Sequence, residues 1–116
     1  VTAANWLALL QGAVFTVALS LAAVLIGVPA GLGLALIRWA RLPGLSQFVA
    51  FLVSILRAAP AVTLALLIFF ALPSIGISLD PLPAAIATLS LSTAAFNCEI
   101  WRGALLALPR DQMDAA

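Results

Sequence analysis

Hydrophobic positions run along this chain almost without interruption, and the polar ones fall in a few short places. Residues 9–37 carry no charged side chain; Arg38 and Arg41 end the run, and Pro43-Gly44 marks a turn. A helix that crosses a bilayer needs about 20 mostly apolar residues, so this block predicts a first spanning helix. A second apolar block covers residues 45–72, interrupted by Arg57 and Pro60. Either it forms one long kinked helix, or residues 45–56 form an interfacial helix and the crossing begins near Ala58. The second reading is favoured: a span over residues 58–72, with Arg57 an interfacial anchor whose long side chain snorkels to the headgroups. Residues 73–83 hold three prolines with Ser, Gly and Asp, which predicts a loop. A third helix is expected over residues 84–108, closed by Pro109 and Arg110. The pattern therefore predicts an all-α integral membrane protein with three transmembrane helices.

Polar and small residues inside these helices are arranged by face. In the first helix Thr16, Ser20, Ala23, Gly27 and Gly31 recur at three-to-four-residue steps. Such a stripe lets another helix approach closely in lipid, so Ser20, Gly27 and Gly31 are read as packing positions. Pro29 is expected to bend this helix. In the third helix Thr88, Ser92, Glu99 and Arg102 lie broadly on one side, and Ser90, Thr93 and Asn97 on the other. A helix polar on two faces belongs inside a bundle or beside a polar cavity. Glu99 lies about a turn from the middle of its span, where an ionisable group costs roughly 2.5–3.5 kcal/mol. Glu99 and Arg102 are three residues apart and can pair on one helix. Two main readings stay open: the pair merely neutralises itself, or one of the two faces a translocation route or its gate.

Composition narrows the class. Two thirds of the residues are apolar and 8% are charged, against about 25% charged in an ordinary soluble domain. So few charges cannot cover a water-exposed surface, and lipid becomes the expected solvent. Nothing resembles a basic nucleic-acid patch. Without histidine, imidazole metal sites and Ser-His-Asp triads are excluded, and the single Cys98, read as a packing residue, cannot form an internal disulfide. No metal, cofactor or catalytic residue is expected. No phosphate loop is present, so ATP hydrolysis, if it drives the protein, belongs to another chain. Arg38, Arg41 and Arg57 flank the first connection and Arg102 and Arg110 the end of the third helix, whereas the second connection carries only Asp80. The positive-inside rule then places the N-terminus outside and the C-terminal end in the cytoplasm. Trp6 and Trp39 bracket the first helix as interface anchors would. The chain opens on Val1 rather than Met and stops at Ala116, and is expected to be an excerpt of a longer protein.

The stretch from Cys98-Glu99-Ile100-Trp101-Arg102-Gly103 through Leu108-Pro109-Arg110-Asp111-Gln112-Met113-Asp114-Ala115-Ala116 resembles the permease subunits of ABC importers for polar amino acids (histidine, glutamate, glutamine, arginine and opines). That family shows A-E-I-x-R-G-G on its third helix, then V-P-x-G-Q-x-E-A-A. Leu10-Gln11-Gly12-Ala13-Val14-Phe15-Thr16-Val17 is similar to its opening L-x-G-x-x-x-T-[LV], and Arg57-Ala58-Ala59-Pro60 to its R-G-T-P. The resemblance implies that residues 1–116 are the N-terminal part of a permease domain, three helices of a typical five. It implies a multi-pass protein of the bacterial plasma (inner) membrane. Implied partners are a second permease subunit, in a homo- or heterodimer, ATPase subunits that carry ATP and Mg, and an external solute-binding protein. Asn97 and Glu99 are then expected to line the translocation pathway, with Arg102 as partner or gate. Arg110, Asp111, Gln112, Asp114 and Ala115 are expected at the start of the ATPase-coupling loop. The rival readings are a small secondary transporter, such as a multidrug exporter, that uses a membrane carboxylate, and a structural or assembly subunit with no pore role, held in a complex by the glycine stripe.

Overall fold

A computed structural model describes residues 2–108. Every regular element among them is helical. Helix α1 runs Ala3–Trp39, well before the residue 9 start expected from hydropathy. Thr2 is the reason: its side chain accepts from the Asn5 N–H at 3.4 Å, satisfying one of the orphan donors of the first turn. Arg38 in the last turn suits the negative end of the helix. The chain then reverses through Arg41, at φ 55, and Gly44, at φ 75. The Gly44 N–H donates to the Gln47 side chain at 2.8 Å, which opens α2, Leu45–Ala58.

Ala59 is extended before Pro60, as the clash with a proline ring requires. Helix α3, Ala61–Leu66, starts beyond it, continues as a π-helical stretch, Leu67–Ala71, and tightens into a 3-10 turn, Leu72–Ile75. The axis bends by 107° between Leu45–Ala58 and Ala61–Ile75. Gly76, at φ 90, ends the segment in the left-handed region, its N–H donating to the Leu72 and Pro73 carbonyls. Helix α4 is Pro81–Ala107. Pro81 and Pro83, expected in a loop, form its first turn instead. A proline there loses nothing, because the first N–H groups of a helix have no intrahelical partner.

Helices α1 and α4 form the spine of the molecule. Gly27 lies against Ser90 and Thr93, and Gly31 against Ala94, Asn97 and Cys98. The contacts advance together along both chains, so the two helices run parallel, and α2 and α3 carry the chain back between them. Ala35, Val49, Val53, Ala95 and Cys98 form a core where α1, α2 and α4 meet. Leu64, Ile68 and Ala84 form a second one between the α3 segment and α4. Outside these cores large apolar side chains face outward: Leu25 is 74% exposed, Phe51 66% and Ile100 66%. Among the described residues only α1 is long and apolar enough to cross a membrane by itself; α2 and the segment after it qualify together as a bent pair. The polar residues of α4 keep it from qualifying alone.

The α1–α4 contact is close enough to test by adding one carbon. A Cβ at Gly31 would sit 2.7 Å from the Asn97 Cβ and 2.8 Å from the Ala94 carbonyl oxygen, whereas a Cβ at Gly33 would meet nothing within 4 Å. Gly31→Ala is expected to destabilise the protein by about 1–3 kcal/mol in a denaturing-detergent titration, the usual cost of overpacking. Gly33→Ala should stay within about 0.5 kcal/mol, as expected of a surface change. Equal effects at the two positions would contradict the contact.

Candidate functional site

The end of the spine that holds the last turns of α1 and α4 collects most of the charge among the described residues. The glycine contact sets its register. Continuing from Gly27 and Gly31 by the same three-to-four-residue steps leads to Ala35 and then to Arg38, so Arg38 ends the stripe that faces α4. Its Nη1 donates to Glu99 Oε1 across the two helices. Arg102 approaches the other carboxylate oxygen at 3.6 Å, an ion pair too long for a hydrogen bond. The Arg38 side chain is 14% exposed, Glu99 26% and Arg102 35%. The carboxylate is thus shared between a well-buried guanidinium on α1 and a looser one on α4.

This changes the expected pairing. Glu99 does meet Arg102 on its own helix, but its hydrogen-bonded partner is Arg38, which from sequence only marked the end of α1. Trp101 supports the same junction: its Nε1 donates to the Val28 carbonyl at 3.2 Å. At the same end, Arg38, Trp39, Arg41, Arg102, Leu105, Leu106 and Leu108 line a partly open cavity of about 400 Å³.

The other expected site residues fall elsewhere. Asn97 is half-buried against Gly31, and its amide Nδ2 donates to the Thr93 carbonyl at 2.8 Å. Its face of α4 meets α1 at Gly31. Ser90 on the same face is 7% exposed, and its hydroxyl has no hydrogen-bond partner. Ser20, expected in the packing stripe, is exposed, with its hydroxyl donating to the Thr16 carbonyl at 2.8 Å. Close packing on the stripe begins at Ala23, which is 4% exposed. The Arg57 guanidinium lies 5.6 Å from the centre of the Phe96 ring, a cation–π contact that ties the end of α2 to α4. Arg110, Asp111, Gln112, Asp114 and Ala115 lie outside the described residues. Among the described residues no group of three or more His, Cys, Asp or Glu is placed to hold a metal.

No protein-family model matches this chain. It is 40% identical over 80 residues to a probable glutamine ABC transporter permease protein of Bacillus subtilis, covering 69% of this chain and 37% of that protein. It is 30% identical to an L-cystine transport system permease protein of Bacillus subtilis, over 95% of this chain and 47% of that protein. An octopine transport system permease protein of Rhizobium radiobacter is 33% identical over 97% of this chain and 49% of its own length. The chain is a homologue of the amino-acid ABC transporter permeases. It spans about half the length of these curated relatives, or less. A crystal structure of an amino acid ABC transporter with histidines superposes with a TM-score of 0.75 at 24% identity, over 95% of this chain and 55% of that one. That likeness shows a shared fold.

Within the permease homologue, the two arginines of the site are unequal. Removing one partner of a buried, hydrogen-bonded pair typically costs about 3–5 kcal/mol, and this half-buried pair should give somewhat less. An exposed ion pair is worth at most about 1 kcal/mol. Arg38→Gln is therefore expected to lower stability in detergent unfolding by about 2–3 kcal/mol and Arg102→Gln by under about 1 kcal/mol. Adding Glu99→Gln to Arg38→Gln should recover part of the loss. A larger loss from Arg102→Gln would show that the pairing runs within α4.

Proposed function

We propose that residues 1–116 are the N-terminal part of the transmembrane permease subunit of an ATP-driven importer of polar amino acids. The observation that carries this reading is the homology to amino-acid ABC transporter permeases along nearly the whole chain. The relatives are named for different substrates, glutamine, cystine and octopine among them, so polar amino acids and opines remain the class. The subunit itself catalyses no reaction and carries no cofactor. ATP and Mg belong to the ATPase subunits, which dock on the coupling loop that starts near residue 110. A second permease subunit and an external solute-binding protein complete the assembly.

The three-crossing topology is part of the same proposal. Parallel α1 and α4 require an intervening return, and the bent α2–α3 segment is positioned to make it. Arg38, Arg41 and Arg102 gather at one end, and Asp80 stands at the start of α4. This distribution supports an external N-terminus and a cytoplasmic C-terminal end in the bacterial plasma membrane. Helix α4 crosses among the other helices rather than in lipid, which is how a span with Thr88, Asn97, Glu99 and Arg102 is accommodated.

In this frame the linked Arg38–Glu99–Arg102 cluster is a gate at the cytoplasmic end of the route. It joins two helices that must part or slide when the cavity changes its open side. Asn97, turned toward α1, contributes to helix packing next to that gate.

Uptake by the complete transporter, with its ATPase and binding protein in liposomes, tests the proposal. Uptake should require ATP and withstand a protonophore. Glu99→Gln should reduce it by about tenfold, equivalent to about 1.4 kcal/mol of barrier, with assembly intact. Uptake abolished by the protonophore and indifferent to ATP would instead indicate a secondary transporter. Unchanged uptake in the variant would remove Glu99 from the gate.

A further inference from the structure

The cavity at the charged end of the spine carries more positive charge than its link to Glu99 balances. Three guanidinium-bearing residues line it, Arg38, Arg41 and Arg102. Among the described residues the carboxylate beside them is Glu99, which is engaged by Arg38 and Arg102. The formal balance of these four groups is three positive charges less one negative, leaving +2. Arg41 makes no ion pair among the described residues, and it is held at φ 55 in the turn after α1. A cavity of about 400 Å³ lies in the size range of small-molecule sites, roughly 300–1,000 Å³. The rest of its wall is apolar or aromatic: Trp39, Leu105, Leu106 and Leu108.

We infer that this cavity binds a phosphate-bearing anion, and that the headgroup of an anionic phospholipid is its source. Guanidinium forks match phosphate oxygens two at a time, and a partly enclosed site strengthens each charge-assisted bond. The unbalanced +2 supplies the field. Arg38 and Arg102 spend part of their donors on Glu99, so Arg41, which pairs with no carboxylate among the described residues, is the donor that closes on the ligand. The leucines of the wall offer apolar surface to an acyl chain, and Trp39 suits headgroup depth. Basic pockets between helices on the cytoplasmic side of a membrane hold anionic headgroups by this physics. The lipid source rests on the membrane placement proposed above, but not on transport, so the two can fail separately.

The test places the protein in nanodiscs of equal parts phosphatidylcholine and phosphatidylglycerol and counts retained lipids by native mass spectrometry. The wild type should retain phosphatidylglycerol several-fold over its share. Arg41→Asn should lose most of that enrichment, and Arg41→Asn with Arg102→Gln all of it. Asn tolerates the left-handed backbone at this position, and Arg41 does not touch Glu99, so the single variant keeps the fold; unchanged circular dichroism checks this. A second arm uses discs of phosphatidylcholine alone and follows ³¹P line broadening of added inorganic phosphate. Broadening by the wild type but not the double variant, without phosphatidylglycerol enrichment, assigns the site to free phosphate and overturns the lipid source. Enrichment that survives both substitutions, or neither enrichment nor broadening, overturns the site.

Discussion

Where α1 and α4 touch, each has too little side chain to keep the other away. Gly27 and Gly31 let the α4 backbone approach so closely that a single added carbon would lie within 3 Å of it or of a Cβ. In lipid no difference in hydrophobicity pulls one apolar helix onto another, so dense packing of this kind has to supply the attraction. It also fixes the contacts further along both helices. With Gly31 locked against Ala94 and Asn97, the next turns bring Ala35 into the core with Cys98, and Arg38 onto Glu99. The charged cluster is a consequence of a steric register set two turns away.

The same register explains how an ionisable trio is accommodated in so apolar a chain. Glu99 is half-buried next to Cys98, which belongs to an apolar core with Ala35, Val49, Val53 and Ala95. A lone carboxylate there would be costly, and one guanidinium on the same helix at 3.6 Å would offset it weakly. The hydrogen bond from Arg38, brought in by a second helix, is what makes the position tenable. Because that bond joins α1 to α4, any motion that separates the helices has to break it. That is the property the gate proposed above requires.

Much of this is legible in the pattern of residues, and the parts that are not have physical causes. The glycine stripe is visible because its period matches one helix face. The break at Pro60 is visible because proline removes a donor and restricts the residue before it. Helix starts are harder to read: Thr2 caps a helix ahead of the strongly apolar run, and Pro81 and Pro83 fit a first turn that composition alone reads as loop. Ser20 continues the stripe in sequence but lies beyond the part that packs closely. Arg38 does not stand out as a partner because its role depends on the register between two helices 61 residues apart in the chain. Extending the stripe past Gly31 by two more steps points to it.

Cys98 is the single cysteine of the chain and is fully buried in the same core as Ala35, which gives the register a direct readout. A disulfide needs Cα atoms within about 7 Å. Ala35→Cys, oxidised mildly in the membrane, is expected to form an intramolecular disulfide with Cys98, seen as a reducible mobility shift and the loss of two hydrogens in mass. Leu36→Cys, one residue on and 43% exposed, should form none. A disulfide from position 36 with none from position 35 would contradict the register on which the Arg38–Glu99 link depends.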